Sequence, residues 1–308
     1  LTLNEYGLYP NDDDPSPPHK RGLSPVASAS EEEIYEALDL AVVPPEVRED
    51  RGEVAAAENH EVPRLIELSD IRAELHAHTT ASDGLLSIEA LAADAQRRGF
   101  HTIAVTDHSK SSVIAGGLTA DRLRSHAAEI RRIAKGLKGI TLLVGSEVDI
   151  LSDGSLDYDD KTLDLLDVVV ASPHVALSQD PATATKRLLR AIEHPRVHIL
   201  GHPTGRLIGR RAGLDPAMHD LIAAAKAQSV ALEINAHWMR LDLRDTHVHA
   251  AVEAGCLIAI DCDVHHPEDF DNLRYGVLTG RRGWLTADQC INCWPARKLH
   301  DWLASKRA

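Results

Sequence analysis

The sequence predicts an α/β fold built on parallel strands, either closed as a barrel or open as a doubly wound sheet. Two observations carry this. From Ile71 onward, seven β-rich apolar runs alternate with helical patterns. The runs are nearly continuous in apolar character, as in Val168-Val169-Val170, which suits strands covered on both faces. Length agrees, since 308 residues serve one large α/β barrel or two ordinary domains.

The first 70 residues have a different texture. Residues 1–8 read as a short strand and 10–30, rich in Pro, Asp and Ser, as an exposed loop. Ser30-Glu31-Glu32-Glu33 has the form of a capping box, opening a helix expected to run to Leu40. Pro44-Pro45 stops it, and 50–60 reads as another helix. This part is too small and broken to carry its own core. Strands are then expected at 72–76, 102–106, 141–148, 166–171, 197–200, 230–234 and 257–260. Ser87 and Thr119 cap the first two intervening helices, with Ile88, Leu91, Ala92 and Ala95, then Leu123, Ala127, Ile130 and Ala134, on their inner faces. Asp215-Pro216 reads as an N-cap followed by proline at the first helical position, and Gly255 closes the helix before the seventh strand.

Composition narrows the function. A net charge of −14 excludes an all-over basic nucleic-acid surface, although bound divalent cations would offset it locally. No run of about twenty apolar residues marks a membrane span, and no signal peptide is visible. Opening on Leu1 rather than Met, the chain reads as a fragment or processed piece. Cys256 and Cys262 flank an apolar strand as buried thiols, and Cys290-Ile-Asn-Cys293 is a lone pair without the second pair a structural zinc needs. The expected compartment is reducing and cytoplasmic.

The chemistry lies at the strand ends. After the first strand come His76, His78 and Asp83; after the second, Asp107-His108; after the third, Glu147. His174 follows the fourth, His202 the fifth, Asn235 the sixth, and Asp263-Val-His265 the seventh. His76 and His78, two apart on an extended strand, aim at one point. In a parallel barrel the C-terminal strand ends form one ring, where sites are built. Six histidines and three carboxylates exceed what one ion needs, so two or three divalent ions are expected, with metal-bound water as nucleophile for phosphoryl transfer. No Ser-His-Asp or activated cysteine arrangement competes. Arg206, four residues after His202, is placed to reach a phosphate oxygen, with Lys110 and Arg240 as further candidates. Asp107 either orients a neighbouring ligand or caps a helix. His237 reads as ligand, proton donor or surface. Arg210-Arg211 is a short basic pair, either solvated or touching a nucleic-acid backbone.

His76-Ala-His78, Asp83, Thr106-Asp107-His108, Gly145-Ser-Glu147, Ser172-Pro-His174, Gly201-His202-Pro203 and Asp263-Val-His265 together resemble the motifs of the polymerase and histidinol phosphatase (PHP) family, over about residues 70–304. The fuller phrases Asp107-His-Ser-Lys110, Gly201-His-Pro-Thr-Gly-Arg206 and Arg281-Arg-Gly-Trp284 are similar to the C-terminal PHP domain of bacterial family-X DNA polymerases. Leu3-Asn-Glu-Tyr-Gly-Leu8 and Pro44–Gly52 are similar to the end of that polymerase's catalytic part and its linker. The resemblance implies a distorted seven-stranded (β/α) TIM-like barrel over 71–308, preceded by a polymerase tail and linker over 1–50 and a connecting helix over 51–70. It also implies three divalent ions, Mn or Zn with Mg and Fe as alternatives. By position, one ion takes His76, His78, Glu147 and Asp263, a second takes Asp83, His108 and His265, and a third takes His174 and His202 with Glu147 as bridge. The implied activity is hydrolysis of DNA at 3′ ends or abasic sites in DNA repair, with the polymerase domain of the longer protein and DNA as partners. The alternatives are a phosphatase on a small phosphomonoester such as histidinol phosphate, or a metal-stabilised scaffold without turnover.

Overall fold

The computed structural model describes residues 1–306. The chain divides into two compact units, Leu1–Arg64 and Leu65–Ala308.

In the first unit, β1 (Thr2–Asn4) and β2 (Gly7–Tyr9) form an antiparallel hairpin. The single strand expected over 1–8 is therefore two, because Asn4 turns the chain by accepting the Tyr6 amide at 2.9 Å. Helix α1 (Glu31–Ala37) starts as the capping motif requires, with Ser30 Oγ accepting the Glu33 amide. The Glu33 carboxylate reaches back to the Ala29 amide rather than to Ser30. The helix stops three residues before the expected Leu40. Helix α2 (Glu53–Glu58) lies inside the span expected over 50–60, but no continuous connecting helix runs over 51–70, since 61–67 form no helix and only a 3-10 turn follows at Leu68–Asp70.

The second unit is a barrel of seven parallel strands in sequence order. They are β3 (Ala73–Glu74), β4 (Thr102–Val105), β5 (Thr141–Asp149), β6 (Val168–Ser172), β7 (Ile199–Leu200), β8 (Ala231–Asn235) and β9 (Ile258–Asp261). Helices alternate with them: α3 (Ile88–Arg97), α4 (Ala120–Ala134), α5 (Asp160–Leu163), α6 (Pro181–Ile192), α7 (Met218–Gln228), α8 (Asp245–Ala254) and α9 (Leu273–Arg282), with α10 (Ala296–Ser305) last. The ring closes just beyond the ends of β3 and β9. There the His78 amide donates to Val264 O at 2.8 Å and the Val264 amide to His76 O at 3.1 Å. Of the two architectures open from periodicity, the barrel is the one formed.

Strand alternation sorts the core into two layers. Val169, Ala171, Leu200, Leu232, Ile234, Ile258 and Ile260 face outward and pack on helix residues such as Leu91, Leu123, Leu188 and Leu221. Their alternates Ala104, Val168, Val170, Ile199, Ala231 and Ala259 fill one end of the interior, together with Trp294, Leu299 and Leu303 of the C-terminal segment. Following the inward parity toward the strand C-termini, the residues turn polar: Thr106 and His108, Glu147, Ser172, Glu233 and Asn235, Asp261 and Asp263. With period two, an apolar floor and a polar upper layer come from the same strands.

Asp215-Pro216 does not open a helix. Helix α7 begins at Met218 without a side-chain cap. The Ala217 amide is satisfied by Thr185 Oγ1 at 2.8 Å, and Leu214 is tied back to Thr204 O at 2.7 Å, so Asp215 stays in the preceding loop.

Candidate metal centre

The nine candidate ligands converge around one buried carboxylate, Glu147. His76 Nε2, His174 Nε2 and His202 Nε2 lie 3.3, 3.2 and 2.8 Å from its Oε1. His108 Nδ1 and His78 Nε2 lie 2.8 and 3.7 Å from its Oε2. Asp263 Oδ1 is 3.1 Å from His78 Nε2 and 3.5 Å from His76 Nε2. On the outer side, Asp83 lies 3.6 Å from His108 Nε2 and 3.3 Å from His265 Nε2.

Three sets of ligand atoms lie close enough to share an ion: His76, His78, Glu147 and Asp263; His78, Asp83, His108 and His265; and His108, Glu147 and His174. The first matches the grouping expected from the resemblance. In the second His78 joins the expected residues, and in the third His108 takes the place expected for His202.

Buried atoms without partners show what the cluster is for. His76 Nε2, both ring nitrogens of His78, His108 Nδ1, Glu147 Oε2 and Asp263 Oδ1 are shielded from solvent and make no hydrogen bond. Orphaned polar groups of this kind are costly. Imidazole and carboxylate in one pocket suit divalent ions of the Zn or Mn type, so these residues fit a polynuclear centre.

The electrostatics point the same way. Burial alone would lower the histidines. The Glu147 carboxylate overrides it at His108, which is raised to about 10, and with Asp149 at His174, raised to about 9. Asp83 does the same for His265, also about 9. Glu147 and Asp263 are held well below the ordinary carboxylate range by the surrounding histidines, against the penalty of burial. Burial and neighbouring positive charge push His78 down to about 4 and His202 to about 3.

The backbone is bent to aim these groups. His202 and Asp263 have φ of 23° and 54°, positions that cost side-chain-bearing residues of order 1–3 kcal/mol each. Gly84 is required where the Asp83 loop folds back, because a Cβ there would run into the His78 carbonyl.

Beneath the ligands lies a layer that motif reading missed. Glu233 is fully buried; its Oε1 lies 2.7 Å from His76 Nδ1 and its Oε2 accepts the His202 amide at 2.6 Å. Asp149 pairs with His174 Nδ1. Glu74 accepts the amides of His76 and Cys262 at 3.1 Å. Asp261 accepts the Leu75 amide and Asn292 Nδ2. A carboxylate inside an apolar run, as in Ala231-Leu-Glu-Ile-Asn235, was the signal available.

The remaining candidates divide. Asp107 accepts from Thr79 and Ser82 and pairs with His126 at 2.8 Å. It thereby fixes the loop carrying Asp83, and it caps no helix, since Thr119 caps α4. Arg206 donates to the carbonyls of Arg240 and Leu241 and lies outside the cleft over the ligands. Lys110 is exposed and does not line that cleft either. Arg240 does line it, with Nε 3.5 Å from Asp263. The cleft is about 560 Å³, with Val113, Ile114 and Val175 on its rim. His237 joins none of the ligand sets. The four cysteines are free thiols, three of them buried. Among the described residues no helix is long and apolar enough to cross a membrane.

Comparison with known proteins agrees with this geometry. Residues 74–237 match the PHP domain family, and residues 1–49 match the DNA polymerase beta thumb. The chain is 42% identical over 272 residues to the DNA polymerase/3′-5′ exonuclease PolX of Bacillus subtilis, covering 88% of this chain and 47% of that protein. It is 33% identical over 141 residues to a probable phosphatase of Syntrophotalea carbinolica, covering 44% of this chain and 56% of that one. The chain thus spans about half the length of these relatives. In structure it resembles the histidinol phosphate phosphatase of Lactococcus lactis solved with zinc, L-histidinol and phosphate. The TM-score is 0.54 at 14% identity, over 70% of this chain and 94% of that one.

Proposed function

The chain belongs to the PHP domain family, and from that premise we propose that it hydrolyses phosphodiesters of DNA, working from 3′ ends or at abasic sites as the phosphoesterase part of a family-X polymerase. The observation that carries this is continuity: a polymerase thumb segment over 1–49 and a PHP match over 74–237 lie on one chain. The B. subtilis relative, whose name joins polymerase and 3′-5′ exonuclease, aligns across 88% of the chain. DNA and the polymerase part of the longer protein are the proposed partners.

His76, His78, Glu147 and Asp263 would hold one divalent ion, and Asp83, His108 and His265 a second. His174 and His202, with Glu147 bridging, would hold a third. Mn and Zn are the proposed metals, with Mg and Fe as alternatives. When bound, such ions supply neutralisation of phosphoryl charge and activation of water near neutral pH. The chain's own residues do the rest. Glu233 and Asp149 orient His76 and His174 through their Nδ1 atoms. Asp107 holds the Asp83 loop in place. Arg240 presents a guanidinium to the cleft, suited to a non-bridging phosphate oxygen. Arg206 acts through Arg240, whose carbonyl it anchors.

The match to a probable phosphatase favours a second reading, hydrolysis of a small phosphomonoester. Metal analysis alongside release from a labelled 3′-ended oligonucleotide and from a nucleotide monoester, in Mn, Zn and Mg, separates the two. The expected result is faster cleavage of the oligonucleotide, abolished in His76→Ala and Glu147→Ala while far-ultraviolet circular dichroism is retained. Undiminished cleavage by either variant would refute the assignment, and a preference for the monoester would favour the second reading.

A further inference from the structure

A second cavity, of about 770 Å³, lies between the loop after β7 and the segment leading into α8. Four arginines line it: Arg206, Arg210, Arg211 and Arg244. Among the described residues no carboxylate lies within 4.0 Å of any of the four guanidinium groups. The lining acids are fewer. Asp242 is buried and spends one oxygen on three hydrogen bonds from Thr204 and Gly205, and Asp215 is exposed. In a chain of net charge −14, a concentration of unpaired guanidinium groups is a local reversal of sign. Like charges brought together without counter-ions are unfavourable unless an anion completes them.

The cavity is built rather than incidental. Leu207 and Arg211 pair through two backbone hydrogen bonds of 2.8 Å, with Gly209 in the left-handed region turning the chain so that Arg210 stands at the tip. Arg211 Nε is anchored on Gly205 O at 2.9 Å, and the Ile208 amide donates to Met239 O at 2.7 Å. The loop is therefore ordered before any ligand arrives. On the opposite wall Arg244 Nη2 donates to His247 Nε2 at 3.1 Å. That places the ring proton on Nδ1, an atom that is buried and has no partner.

The cavity is joined to the metal centre by two segments of the chain, although the two clefts share no lining residue. Thr204 on its wall follows the candidate ligand His202 by two residues. Along the facing segment, Arg240 lines the metal cleft and Asp242 the arginine cavity. Arg206 holds the two segments together.

We infer that this cavity is a phosphate-binding subsite that takes backbone phosphodiester groups of the strand whose scissile phosphate lies at the metal centre. Planar guanidinium forks suit phosphate oxygens better than ammonium groups do. The inference rests on the nuclease reading above and adds to it the path of the strand.

The test is fluorescence anisotropy of a short 5′-labelled oligothymidylate against the metal-free chain in EDTA, repeated over a range of salt concentrations. Arg210→Ala/Arg211→Ala is expected to weaken binding at least roughly fivefold near 0.1 M salt. It should also flatten the dependence of log Kd on log salt by about 1.4, at about 0.7 per phosphate contact on a single strand. Arg210→Lys/Arg211→Lys is expected to keep most of the salt slope. Arg124→Ala, an exposed arginine of α4 outside the cavity, should bind as the wild type does. If the double alanine variant loses its circular dichroism, Arg244→Ala is measured in its place. Wild-type affinity and slope in the alanine variants would overturn the inference. So would inorganic pyrophosphate binding in an arginine-dependent way while the oligothymidylate does not bind. Arginine-dependent strand binding by a metal-loaded chain that cleaves no DNA would sink the nuclease reading and leave the subsite standing. Cleavage with arginine-independent binding would do the reverse.

Discussion

Replacing Glu233 by glutamine tests whether the buried carboxylates below the metal centre control it. Glutamine keeps the shape of the side chain but offers one oxygen where the carboxylate offers two. Glu233 now serves both His76 Nδ1, at 2.7 Å, and the His202 amide, at 2.6 Å. In the variant one of these donors must face the amide NH₂. A hydrogen bond to a charged acceptor is worth about 1.5–3 kcal/mol, which converts at about 1.4 kcal/mol per decade to a loss of metal affinity of roughly 10–100-fold. The metal-free fold should change little. Burial pushes the Glu233 carboxyl up to about 7, so near neutrality the amide replaces a group already partly protonated. The thermal midpoint is expected to move by less than about 4 °C, at about 2–4 °C per kcal/mol for a chain this size. The assay is competition for Zn or Mn against a chelator, with ¹⁵N spectra of the histidine rings reporting the Nδ1–H tautomer of His76 in the wild type. An affinity within about twofold of wild type, with the His76 tautomer unchanged, would refute the reasoning.

Three further outcomes follow from the same geometry. In the metal-free chain His108, His174 and His265 are raised to about 10, 9 and 9, so all three carry a proton at pH 7.5, and metal binding should displace about two to three protons. Calorimetry in buffers of different ionisation enthalpy measures this, and proton-neutral binding would contradict it. Because these values are raised above the ordinary histidine value, their contribution to metal-free stability is full below about pH 6.5 and is lost as pH rises through 9–10. Melting of the EDTA-treated chain should therefore fall across that window. Asp107→Asn should loosen the 79–83 loop and lower activity by roughly 10–100-fold, with loss of the ion nearest Asp83 in metal analysis; full activity with full metal content would argue against the loop's role.

Much of the centre was legible in the chain because ligand chemistry needs particular residue types. His76 and His78, two apart on an extended segment, share a face whatever surrounds them. The alternation of apolar runs with capped helices at Ser87 and Thr119 is local, and local sterics and hydrogen bonding suffice to produce it. Arg206 shows where local reasoning stops. Its spacing from His202 suggested a phosphate contact in the metal cleft, but its guanidinium is drawn to carbonyls 34 and 35 residues away. Glu233 and Asp149 escaped notice for the same reason, since their partners lie 157 and 25 residues distant along the chain. The sequence by itself determined the repeating β/α plan and the inventory of imidazoles and carboxylates that can bind cations. Only the tertiary structure decided that the sheet closes through His78 and Val264, which buried carboxylates brace the ligands from beneath, and which guanidinium faces which cavity. Those choices come from backbone hydrogen bonding and burial between segments far apart in sequence, and neither has a local signature.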